Sequence, residues 1–405
     1  MGGEVIAAQP VQAKPSLRLL AAGAVLAFAL ATAWWLAGRP GGRSASFALL
    51  AGVSLGVFLQ RARFCFFCHT RDWFRHRDPR GLLAILLAIA VGTVGYHVVL
   101  GNWLPVPEPG RFPPDAHIGP VSWALVVAGL SFGAGMAVSG SCISAHLYRL
   151  GEGSPTAPFA LLGAVLGFGL GFASWNPLYS ATIATAPRLW LPHHLGYGGT
   201  LVAQLVVLAA LAAPLWRRLP AAATPQRPLP STLRAALATL WEGRWPYWVG
   251  GLGVGLIGAF VIQRIQPLGV TTPLGSVARE IAGRYGLVPE RLEGLDTMPG
   301  CSTVVGSSWM TAPNLLVAGL VIGALASAVA SGQFAPRRPT LRHVGRGLLG
   351  GVLLGWGAMI ALGCTVGTLL SGTMAGAASG WVFGAAVLAA VWAGLKIAPA
   401  SRAAG

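Results

Sequence analysis

Residues 133–145 read GAGMAVSGSCISA, and residues 355–367 read GWGAMIALGCTVG. In each, an apolar run passes through small residues and ends at a cysteine, Cys142 or Cys364, with no charged boundary. Glycine lets a backbone turn and come close to a bound ion. At membrane depth, non-helical backbone survives only where it is buried or lines a cavity. The two stretches, with the segment around Cys65, therefore predict loops or broken helices dipping toward a membrane centre.

The composition supplies the membrane. Of 405 residues, 54% are hydrophobic and 10% charged, against roughly 25% charged in a soluble domain. Ten apolar runs begin at Leu17, Ser44, Leu82, Val121, Pro158, Gly199, Tyr247, Asn314, Val344 and Gly380. A crossing takes about 20 residues, so the expected fold class is an all-α integral membrane protein of about 9–10 transmembrane helices. The first run continues through Trp34, Trp35 and Leu36 beyond Ala31-Thr32-Ala33, the segment that resembles a signal-peptide cleavage site, and so reads as a retained span.

The net charge is +17, nearly all of it arginine. In a soluble protein that excess would suggest nucleic acid; here the cations fall between apolar runs and report orientation, so no nucleic-acid partner is expected. The connection holding Arg61, Arg63, Arg71, Arg75, Arg77 and Arg80, the one after Trp216 and the one after Gln333 are the cytoplasmic candidates. The alternate connections carry one arginine each, Arg111 and Arg188. That count puts both termini inside, with Arg39 and Arg43 running against it.

The wording repeats. GVSLGVFLQRARFC (52–65) precedes the Cys142 stretch as GVGLIGAFVIQRIQPLG (253–269) precedes the Cys364 stretch. Counting spans places the two copies on opposite faces, the pattern of an inverted repeat with glycine- and cysteine-rich loops meeting centrally. Aligning Gln60 with Gln263 sets Cys65 opposite Leu268, so that cysteine has no partner. The expected organisation is an N-terminal tail (1–16), a first membrane half (17–218), a proline- and arginine-rich linker (219–245), a second half (246–397) with an insertion around 285–311, and a short tail (398–405).

No Asp or Glu falls within a predicted span, which disfavours a carboxylate relay for protons or sodium. His97 and His146 lie in or beside spans and read as hydrogen-bonded packing histidines. Cys65, Cys68 and His69 spell C-x-x-C-H. Haem attachment needs the outer compartment, whereas the surrounding arginines put this segment inside. Structural zinc needs four ligands and only three lie together; a disulfide is disfavoured at the inner face. No cofactor or metal is expected. Cys142 and Cys364 rank first as functional thiols because they are repeat-related, and Cys65 next; Cys68 and Cys301 read as structural or incidental.

The Gln-Arg element leading into Arg63-Phe64-Cys65, G-x-G-M-x-x-S-G-S-C ending at Cys142 and L-G-C-T-x-G-T-x-x-S-G from Leu362 resemble the YeeE/YedE family of bacterial inner-membrane proteins. The resemblance runs from about Gly52 to Lys396. It implies a multi-pass importer of thiosulfate or related sulfur anions, not an enzyme, with an hourglass shape in which loops of both halves meet. By motif, Cys65, Cys142 and Cys364 line the passage and hand the anion on by transient S–H···S and S–H···O contacts. Gly140, Ser141, Gly363 and Thr365 complete the expected binding set, and Gln60, Arg61, Gln263 and Arg264 the supporting one. A small cytoplasmic sulfur carrier of the TusA type is the implied partner. The chain departs from the pattern in Cys68, Cys301 and the second-half insertion. Alternative readings are a selenium-compound transporter on the same fold and a protein whose cysteine forms a persulfide or disulfide with its substrate.

Overall fold

The structure is a computed structural model that describes residues 15–113, 116–219, 243–289, 291–295, 298 and 310–397. Cys301, most of the linker and much of the second-half insertion lie outside the described residues. A backbone in lipid must satisfy its own polar groups, and the apolar runs do so as helices. The first half comprises α1 (Pro15–Ala37), α2 (Gly42–Arg61), α3 (Phe66–His76), α4 (Arg80–Trp103), α5 (Trp123–Ser139), α6 (Ile143–Gly151), α7 (Ala157–Leu178) with a π-helical extension (Tyr179–Ile183), and α8 (Pro192–Trp216). The second comprises α9 (Tyr247–Arg264), α10 (Thr272–Arg284), α11 (Ala312–Ala330), α12 (Leu341–Ile360), a π-helical segment (Thr365–Gly372) and α13 (Ala378–Ile397). Among the described residues the only β pairing is an isolated bridge between Trp190 and Ala377.

Among the described residues nine helices, some counted with their continuations, are long and apolar enough to cross a bilayer; α12 with the π-helical segment, bent by 40°, makes ten. All ten apolar runs of the sequence are helical. On α7 the two faces divide the labour. Leu162, Leu166 and Leu170 point outward, as a lipid solvent allows, while Gly163 and Gly167 are packed against α12. A Cβ on Gly167 would fall on the Val352 carbonyl, and one on Gly355 on the Ala164 carbonyl, so the two backbones meet at small residues as membrane helices do.

The most extensive helix contacts all join one half to the other, and they reciprocate. α2 packs on α11 as α9 packs on α4; α5 packs on α13 as α12 packs on α7; α3 touches α13 as α10 touches α7. The arginine-rich connections gather in space. Arg71, Arg75, Arg149, Arg337, Arg342 and Arg346 line one cavity of about 890 Å³, and Arg218 lies over the Trp73 ring, 5.5 Å from its centroid.

Candidate functional site

Four helices stop and resume: α2 gives way to α3, α5 to α6, α9 to α10 and α12 to the π-helical segment. In three of the four, the residue capping the second piece is a cysteine, namely Cys65, Cys142 or Cys364. In the fourth it is Thr271. Two residues ahead of each cysteine the backbone turns left-handed, at Arg63 (φ 49°), Gly140 (φ 84°) and Leu362 (φ 59°). Glycine takes that conformation freely. Arg63 and Leu362 do not, and the penalty of about 1–2 kcal/mol is held in place by the surrounding fold. The reversal sets each thiol at a helix N-terminus, where backbone N–H groups lack intrahelical acceptors and the dipole favours negative charge.

All three cysteines are fully buried and unbridged. Cys65 Sγ accepts from the Cys68 N–H at 3.4 Å, and Cys364 Sγ from the Val366 N–H at 3.4 Å. Cys142 Sγ lies 3.3 Å from Ser144 Oγ. The structure sets Cys65 and Cys142 side by side, with Cys68 next to Cys65. Cys364 has a different neighbourhood, the 265–271 break, whose Val270 N–H points to its sulfur. The arrangement reciprocates the first half, where the Phe66 N–H points to Cys142.

The flanking residues divide. Ser141 and Thr365 are buried and their hydroxyls make no hydrogen bond among the described residues. Gly363 packs tightly, since a Cβ there would press on Thr368 Oγ1. Gln60 and Arg61 are buried but turned away from the thiols. Gln60 donates to Glu152 Oε1 at 3.1 Å and Gln333 Oε1 at 2.9 Å, and accepts from Ser327 Oγ at 2.8 Å. Arg61 donates to the Gly243 carbonyl, fastening the chain that enters the second half. Gln263 and Arg264 are exposed at the end of α9. The two copies of the Gln-Arg element thus share a sequence and not an environment. His97 bonds the Thr93 carbonyl at 2.9 Å and His146 bonds Ser139 Oγ at 3.0 Å, so both are packed histidines.

Thr271 and Thr272, which sequence reading passed over, are buried with hydroxyls that also make no hydrogen bond among the described residues. Their signal was present: they open the helix after the second Gln-Arg element, as Cys65 does after the first. The adjoining loop is locked, because Tyr96 Oη accepts from the Leu268 N–H at 2.9 Å and Ser371 Oγ donates to the Leu268 carbonyl at 2.6 Å. Beyond the Cys364 break lies a small recess of about 30 Å³ lined by His117, Arg188, Leu362 and Thr368. Beside Cys68 lies a cavity of about 300 Å³ lined by Arg63, Arg71, Tyr148, Arg149 and Tyr247. Among the described residues no three His, Cys, Asp or Glu side chains converge as metal ligands.

Long apolar helices that break and resume around buried backbone donors are a feature of membrane transporters. The chain belongs to the sulphur-transport family, which its residues 61–393 match. It is 27% identical to the thiosulfate transporter TsuA of Escherichia coli strain K12, over 371 residues that cover 85% of this chain and 92% of that one. It is 27% identical to the TsuA thiosulfate transporter of Spirochaeta thermophila, with 82% and 93% covered. The probable transporter YedE of E. coli is 29% identical over about half of each chain. The family and these relatives are transporters, not enzymes, and this chain is accordingly a multi-pass membrane protein.

Proposed function

We propose that this chain imports thiosulfate, or a closely related sulfur-containing anion, across a bacterial inner membrane, past Cys364, Cys142 and Cys65 in succession. The observation that carries the reading is the placement of three buried thiols at the N-terminal ends of interrupted helices. A dianion enters a low dielectric only where donors meet it, and first-turn N–H groups are such donors. Thiols add weak, polarizable contacts suited to a soft terminal sulfur. The hydroxyls of Ser141 and Thr365, buried without a partner among the described residues, are further donors for the anion's oxygens. Weak successive sites let an ion leave as well as enter.

Reciprocal packing of the halves supports an inverted repeat with re-entrant segments, the arginine-rich face being cytoplasmic. Its positive field draws the anion through, and a small sulfur carrier of the TusA type is the proposed acceptor there. The test is uptake of labelled thiosulfate by proteoliposomes holding the intact chain or Cys142→Ala. Uptake that is lost in the variant supports the reading, and equal uptake in both removes the thiols from the path. Absence from both, with uptake of selenium oxyanions instead, transfers the fold to a selenium substrate.

A further inference from the structure

Sequence alone left Cys68 without a role. In the structure it is the half-buried thiol among the four described, the other three being sealed. It stands next to Cys65 on one side and lines the 300 Å³ cavity on the other. Arg149 Nη2 donates to its sulfur at 3.3 Å. Arg149 comes from the end of α6, the helix that Cys142 caps, and Cys68 from the first turn of α3, the helix that Cys65 caps. The pair is thus held by the two elements that hold the buried thiols.

Two carboxylates, Asp72 and Glu152, line the same 300 Å³ cavity, and Glu152 accepts from Gln60. The neighbouring Arg71 is paired with Asp72 at 2.9 Å, whereas no carboxylate among the described residues lies within ion-pair distance of Arg149. A guanidinium carries five N–H donors in a planar fork, and one on a sulfur leaves others for oxygen acceptors. Arg149 also borders the 890 Å³ arginine-lined cavity, so it belongs to both spaces.

We propose that Cys68 and Arg149 form a fourth binding station, between the buried Cys65–Cys142 pair and the arginine-lined cavity, for a small oxyanion that carries a soft sulfur. Arg149 takes the sulfonate-type oxygens while the thiol of Cys68 faces the terminal sulfur. A hard donor and a soft donor side by side distinguish such an ion from sulfate, which offers oxygen alone. No bond is made or broken at the station. The inference deepens the proposed function and rests on it.

The test is made on the full chain in proteoliposomes, with the initial rate of labelled thiosulfate uptake as one measurement. Cys68→Ala and Arg149→Gln are each expected to lower the rate by about tenfold, the order of one charge-assisted contact. The double variant is expected to fall little further, and Arg149→Lys to recover part of the rate. A second measurement needs no altered site: in a Cys301→Ser background, N-ethylmaleimide labelling of Cys68 is expected to be slowed by thiosulfate and unaffected by sulfate. Labelling that Cys68→Ala abolishes identifies the thiol. Intact uptake that depends on Cys142 but not on Cys68, with no protection by thiosulfate, overturns the fourth station and leaves the proposed function standing. Absence of thiosulfate uptake by the intact chain overturns both.

Discussion

Replacing Gln60 by alanine tests whether this side chain is structural. Its amide joins three elements by three hydrogen bonds: to Glu152 after α6, to Gln333 after α11 and from Ser327 within α11. A typical bond contributes about 0.5–1.5 kcal/mol net, and partners left buried cost more. Ser327 is buried, while Glu152 and Gln333 retain some access to solvent and recover part of their loss. The expected destabilisation is therefore about 2–4 kcal/mol. Gln263, the residue at the matching place in the second half, is exposed, and its replacement by alanine is expected to change stability by less than about 0.5 kcal/mol. Denaturant titration in mixed micelles, followed by tryptophan fluorescence, measures both. A Gln60→Ala chain that unfolds within about 0.5 kcal/mol of the intact one refutes the lock.

Gly140→Ala meets no atom within 4 Å of its new Cβ, so only the left-handed backbone opposes it; the expected cost is about 1–2 kcal/mol, by the same titration. The exposed Arg63, left-handed as well, is the converse case, and Arg63→Gly is expected to stabilise. Gly355→Val drives a side chain into the Ala164 carbonyl and is expected to abolish a monodisperse peak in size-exclusion chromatography. Burial lowers His117 to about 4 from its usual 6.5. The folded chain therefore holds it neutral, and its contribution to stability is full above the unfolded value and lost as pH falls toward 4. His117→Gln is expected to flatten the decline of the melting temperature over that range.

The transmembrane segments were legible because a bilayer asks for one property, continuous apolarity, which a single sequence displays. The breaks at Cys142 and Cys364 were legible because small residues recur there at the same place in both halves. What stayed hidden depended on partners distant in the chain. The two Gln-Arg elements read alike, yet only Gln60 finds Glu152, Gln333 and Ser327, the last of them 267 residues away. Thr271 was hidden for another reason. The second break is longer than the first, so counting from Gln263 put Leu268 opposite Cys65, whereas the capping position falls at Thr271. Cys68 read as incidental because its contact with Arg149 spans 81 residues.

The reciprocal seams have a consequence for biogenesis. α2 and α4 find their most extensive contacts on α11 and α9, and α5 and α7 both find theirs on α12, all of which are synthesised later. While the ribosome is still translating the second half, the first has already entered the lipid with its glycine grooves unfilled and its best partners unmade. It cannot mature as a separate domain. The newborn chain must wait, shielded by lipid or by the insertion machinery, until the second half arrives to close around it.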